Sequence, residues 1–326
     1  MSKTTRKTRN GATTTRAKRI APQNGTNGNG AHVSTDSDVV SRLPVLKTYK
    51  IYVGGKFPRT ESGRYYVLKN PATKEPIANI CDCSRKDFRD AVVAARAAQH
   101  SWASRSAYNR GQILYRIAEM LEGRSQQFVY ELVEQGVDVS DARAEVALSI
   151  DRFLYYAGWA DKYQQVFSSV NPVSSSHFNF SILEPTGVVS IFAPENTGLL
   201  GLVSTIAPTI AGGNTCIALA SNALPLCAVT LAEVLATSDL PGGVINLLTG
   251  KRSELLDHFA SHMDVNATIY CGDDAKELGA ARTKAALNVK RVISYDRDDW
   301  TAREAQSPYF ILDTQEVKTT WHPVGV

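Results

Sequence analysis

Residues 187–220 read GVVSIFAPENTGLLGLVSTIAPTIAGGNTCIALA. GVVSIFA is an apolar run of strand length, rich in β-branched residues, and such a run predicts a strand buried on both faces. GLLGLVSTIAPTIAGG follows as a stretch of small and apolar residues closed by a glycine pair, which predicts a helix with a glycine stop. NTCIALA then supplies a second buried strand. Strand, crossover helix and strand make a βαβ unit, which is right-handed almost without exception.

The alternation continues toward the C-terminus. LPLCAVTLAEVLATSDLPG (224–242) predicts a helix, GVINLLTG (243–250) a strand, SELLDHFASH (253–262) a helix and ATIYCG (267–272) a strand. Four apolar strands separated by helices predict an α/β fold with a doubly wound, Rossmann-like parallel sheet. Such sheets bind ligands at the carboxyl ends of their strands. Toward the N-terminus, YKIYVGGKF (49–57) predicts a hairpin about Gly54-Gly55, and YYVLKNPATKEPIANIC (65–81) a second strand pair. Ser84 is the expected N-cap of a helix through residues 84–106. Residues 110–136 predict two further helices, residues 142–165 a longer amphipathic one, and FNFSILEPTG (178–187) an extended arm.

Charge is spread unevenly over the 326 residues. Residues 1–42 hold eight Lys/Arg and two Asp, which leaves 28 basic against 30 acidic residues in the rest. The net charge of +4 therefore belongs to the tail, and the body gives no sign of nucleic-acid binding. Residues 1–45 are low in apolar content and are expected to be a disordered basic tail. That tail suits an acidic scaffold, an anionic surface or a nucleic acid as partner. Five cysteines (Cys81, Cys83, Cys216, Cys227 and Cys271) lack paired metal-type spacing, so no metal site is expected. Without an apolar run of membrane length or a signal core, the expected location is the cytoplasm.

Beyond these local readings, NPATKEPIA (70–78), AARAAQHSW (94–102), YYAGWADK (155–162), EPTGVVSIFAPEN (184–196), APTIAGGNT (207–215) and LPGGVINLLTG (240–250) stand in one order. With His262-x-Asp264-Val265 and Tyr270-x-Gly272, they resemble the aldehyde dehydrogenase superfamily from about Tyr49 to Lys290. The resemblance implies a NAD-binding domain at residues 46–300 with part of an oligomerisation arm. It also identifies positions at which this chain departs from the family.

Asn196 matches the family's oxyanion-holding asparagine, but Glu195 and Thr197 replace the aromatic residues on either side. The resemblance therefore makes Asn196 a vestigial catalytic position, and an Asn before a helix also suits an N-cap. Leu219 and Asn222 stand where the family carries the lysine and glutamate that hold the adenosine ribose. Asp273 and Asp274 replace the neutral residues beside the pyrophosphate, where they suit a helix N-terminus but repel an anion. Pro194, Gly250 and Gly272 remain as vestigial cofactor positions. Tyr295 stands near the place of the general-base glutamate, with Arg297-Asp298 in place of glycines. The nucleophile motif Gly-Gln-x-Cys is absent from the chain, and Cys271 is expected to be a buried, inert thiol.

FILDTQEVKTTWHPVGV (310–326) resembles the family's terminal strand, which lies on a neighbouring subunit. Between Trp300 and Pro308 the chain thus skips what the family uses as a catalytic domain. Residues 301–326 are then expected to form an oligomerisation strand suited to sheet addition. Three readings follow. The chain is a non-catalytic subunit that joins a full-length aldehyde dehydrogenase to stabilise, regulate or localise it, with no NAD or only weak NAD binding. Alternatively it is a NAD-dependent oxidoreductase acting on aldehydes, or a protein that tethers nucleic acid or a scaffold through its tail.

Overall fold

The computed structural model describes residues 45–296 and 299–325. The basic tail up to Pro44 and the pair Arg297-Asp298 therefore lie outside the described residues. In chain order, β1 (Thr48–Tyr49), β2 (Tyr65–Lys69) and β3 (Pro76–Cys81) form a small sheet of order β1-β3-β2. The expected second strand pair is present as β2 antiparallel to β3. The expected hairpin at Gly54-Gly55 shrinks to a tight turn. Val53 and Lys56 exchange backbone bonds across it, both glycines have positive φ, and Tyr52 instead bridges Leu247. The long-range partners of β1 and Tyr52 pull the first strand away from its local mate.

Helices α1 (Arg85–Ala103), α2 (Ala107–Glu122), α3 (Ser125–Glu134), α4 (Val139–Trp159) and α5 (Tyr163–Phe167) follow. Ser84 caps α1 as expected, in a reciprocal capping box with Asp87. The arm consists of β4 (Ser169–Asn171) and β5 (His177–Pro185).

Next come β6 (Val188–Phe192), α6 (Leu200–Ala211), β7 (Thr215–Leu219), α7 (Leu226–Ala236), β8 (Ile245–Leu248), α8 (Arg252–Ser261), β9 (Ala267–Cys271), α9 (Ala275–Ala286) and β10 (Arg291–Tyr295). Their strands form one parallel sheet of order β10-β9-β6-β7-β8. The sheet has a fifth strand beyond the four expected. RVISY at β10 is an edge strand that is only partly covered, so it lacks the continuous apolar run that marks the others. Every residue of β6, β7, β8 and β9 is buried. Val189 and Ile191 face one packed layer, while Val188 and Phe192 face the other with Phe88 and Phe259.

The order places a topological switch between β6 and β9, where the chain leaves one side of the sheet and resumes on the other. A crevice opens at the carboxyl ends of strands there.

The chain closes with α10 (Tyr309–Leu312) and β11 (Gln315–Pro323). β11 pairs antiparallel with β5 of the same chain, from Gln315 opposite Pro185 to Pro323 opposite His177. It is thus an edge strand of the chain's own three-stranded arm, β11-β5-β4. Before it, the linking segment folds onto α4 and α6. Trp300 is buried there, and Arg152 of α4, also buried, donates to Trp300 O at 2.8 Å, to Ser204 Oγ at 2.8 Å and to Ala305 O. No helix among the described residues is long and apolar enough to cross a membrane.

Candidate functional site: the crevice at the strand ends

A cavity of about 700 Å³ opens at the carboxyl ends of the central strands. Pro194, Glu195 and Asn196 enter it from the end of β6, and Gly272 and Asp273 from the end of β9. Asn222 comes from the loop after β7 and Arg252 from the first turn of α8. The sheet topology therefore brings Pro194, Asn196 and Gly272 to one place.

Gly250 does not join them at the cavity wall. It has a φ of +143° and lies against the β3–α1 junction, where an added Cβ would stand 3.1 Å from Cys83 N. Its lack of a side chain is explained by chain packing. Gly272 has a φ of +155°, and a Cβ there would meet Arg252 Nη1 at 3.0 Å.

Arg252, which the sequence reading passed over, organises the crevice. Its guanidinium donates to Ala193 O and, at 2.8 Å, to Cys271 O, so it ties the ends of β6 and β9 together. It also lies 3.4 Å from Glu195 Oε1, 3.8 Å from Glu277 Oε2 and over the Tyr270 ring. The Arg252 guanidinium is thereby committed to two carbonyls and two carboxylates.

Five carboxylates, Glu195, Asp273, Asp274, Glu277 and Asp296, line the cavity against Lys251 and Arg252. Asp274 caps α9, accepting from Lys276 N at 2.8 Å and Glu277 N at 3.1 Å, and these bonds hold its carboxyl below the usual range. Tyr270 donates to Glu277 at 2.9 Å. Leu219 is buried among the packing residues of the sheet and presents no polar group.

Asn196 lines the cavity and is exposed. The capping expectation for it is overturned. The cap position of α6 is Leu199, and Glu145 of α4 accepts from Leu199 N at 2.7 Å and Leu200 N at 3.0 Å. Thr197 Oγ1 accepts from Gly201 N at 3.0 Å. A carboxylate reaching in from another helix outcompetes the nearby amide side chain because it bears full charge at the positive end of the helix. The only trace of this in the sequence is an acid on the buried face of RAEVALSI.

Where the general base was expected, Tyr295 is buried and donates to Asp313 Oδ2 at 2.6 Å. Burial and the neighbouring Asp313 push its phenol well above the usual value. All five cysteines are buried and unpaired. Burial pushes the Cys271 thiol up to about 12 despite Arg252, so a thiolate is disfavoured there.

The aldehyde dehydrogenase family profile matches residues 57–294. The chain belongs to the aldehyde dehydrogenase family. It is 32% identical over 245 residues to a mitochondrial aldehyde dehydrogenase of Leishmania tarentolae, an alignment covering 74% of this chain and 49% of that protein. It is 30% identical over 258 residues to the cytosolic 10-formyltetrahydrofolate dehydrogenase of Mus musculus, covering 78% and 29% respectively. Among solved structures, HpcC from Thermus thermophilus superposes with a TM-score of 0.73 at 28% identity, over 76% of this chain and 48% of that one. Betaine aldehyde dehydrogenase from Staphylococcus aureus, solved in complex with NAD+, superposes with a TM-score of 0.72 at 25% identity, over 76% and 49%. The chain thus spans half or less of the aldehyde dehydrogenases and related proteins it matches.

Proposed function

We propose that this chain is a non-catalytic aldehyde dehydrogenase-like subunit. It assembles with a full-length aldehyde dehydrogenase in the cytoplasm to stabilise, regulate or localise it, and it does not hold NAD in the family's mode. The observation that carries the reading is the charge of the crevice. A dinucleotide pyrophosphate needs free N–H donors and cations. Here Asp274 takes the Lys276 and Glu277 amides in the first turn of α9, Arg252 is bound to Glu195 and Glu277, and Leu219 offers the ribose no donor.

The chemistry points the same way. Thioester formation needs an activated thiolate, and the five thiols are buried. The arm supports the assembly half of the reading. Phe178 and Ile182 on β5, and Val317 and Trp321 on β11, are exposed around an open strand edge. Docking on a partner would cover apolar side chains and supply partners for edge amides.

The test has two parts. Calorimetric titration with NAD, alongside an assay for NADH formation with an aldehyde, should give neither heat of binding nor turnover. Affinity purification from the native cell should bring down a full-length aldehyde dehydrogenase. Micromolar NAD binding would overturn the cofactor half. The second reading, a NAD-dependent oxidoreductase acting on aldehydes, draws on the retained crevice and on the solved NAD+ complex of the Staphylococcus aureus relative. The same titration decides between the two.

A further inference from the structure

Glu195 makes an unusual set of bonds for a crevice carboxylate. Its Oε2 accepts from Ser221 Oγ at 3.0 Å, from Asn222 N at 2.7 Å and from Ala223 N at 3.3 Å. Its Oε1 faces Arg252 Nε at 3.4 Å. Two successive backbone amides, a hydroxyl and a guanidinium converging on one carboxylate form an anion-binding nest. Ser221 and Arg252 are largely buried, whereas Glu195 is itself 40% exposed and reaches in from the open side. The donors belong to the loop after β7 and to α8, and the carboxylate to the end of β6, so the occupant is separable from its cradle.

We propose that Glu195 is an internal occupant of an oxyanion site formed by Ser221, Asn222, Ala223 and Arg252, and that removing its carboxylate opens that site to a phosphate-sized external oxyanion. This rests on the reading that the crevice does not hold NAD in the family's mode, and it names the residue that closes one part of it. A tethered carboxylate competes at a high effective concentration, so a free anion is excluded until the tether is cut. The other acids of the crevice stay in place, and the opened site therefore takes a small oxyanion rather than a dinucleotide.

The test uses the whole chain and inorganic phosphate as probe, at constant ionic strength, read by calorimetry and by the dependence of Tm on phosphate. Glu195→Ala should bind phosphate saturably, about tenfold or more tighter than the unaltered chain. Glu195→Gln keeps the shape and loses the charge, so it should shift in the same direction by less. It also gives a reading should the alanine variant fold poorly. Adding Ser221→Ala to either variant should reduce the gain. Equal phosphate affinity in the unaltered chain and in a folded Glu195 variant overturns the proposal, as does a gain undiminished by Ser221→Ala. NAD binding by the unaltered chain would instead refute the functional reading and leave this comparison as it stands.

Discussion

The guanidinium of Arg152 lies 2.8 Å from the carbonyl oxygen of Trp300, and both residues are sealed from solvent. This bond, with those to Ala305 and Ser204, fastens the segment between β10 and α10 to the α4–α6 layer. Arg152→Met keeps the apolar stem and removes the donors, leaving buried carbonyls without their partner. The expected loss is about 3 kcal/mol in urea unfolding. Faster amide hydrogen exchange confined to residues 299–314 would mark the segment as the part that loosens. A uniform rise in exchange would speak against this latch.

The start of α6 depends on a second distant contact. Glu145→Ala should cost about 1–2 kcal/mol, because the amides of Leu199 and Leu200 lose a charged acceptor at the helix N-terminus. Asn196→Ala should cost less, since the acceptors for the first turn are Glu145 and Thr197. Chemical denaturation of the two variants side by side checks the order, and the reverse order would restore Asn196 as the cap.

Thiol chemistry offers a direct reading of burial. The native chain should be nearly blind to Ellman's reagent at pH 8, and all five cysteines should react once it is unfolded. Burial raises the thiols of Cys83, Cys216, Cys227 and Cys271 above their ordinary range, so thiolate is scarce as well as inaccessible. Rapid labelling of one native thiol would reopen the question of a nucleophile.

Lys290 sets a pH dependence. Its amine donates to Ala260 O at 2.8 Å and His262 O at 2.9 Å at the C-terminal end of α8, and burial pushes it down to about 8. An unfolded lysine titrates near 10.4, so between pH 8 and about 10.4 the unfolded chain binds a proton that the folded chain does not. Folding stability from this group therefore rises with pH through that window and is lowest below it. Lys290→Met should remove the rise. Urea midpoints of both proteins from pH 7.5 to 10 test this, and parallel curves would show that Lys290 does not titrate there.

Much of the fold was written locally. The runs VVSIF, TCIAL, INLL and ATIYC announced four buried strands because a strand covered on both faces must be apolar at every position, and that pattern needs no partner to be read. Ser84 could be read as a cap because its box closes within four residues. β10 escaped notice because an edge strand is covered only in part.

The tertiary structure alone decided where the polar groups spend their bonds. Glu195 meets Ser221 across 26 residues, Glu145 meets Leu199 across 54, and Arg152 meets Trp300 across 148. A residue's type announces that a buried charge or hydroxyl must find a partner, yet it does not say which one. Apolar burial is non-directional and survives in the pattern of one chain segment, whereas a hydrogen bond exists only where folding sets donor and acceptor about 3 Å apart. So apolar patterning determined the sheet, the ordered motifs carried the family resemblance, and three-dimensional placement determined that the crevice is lined by the chain's own carboxylates and that β11 lies on β5.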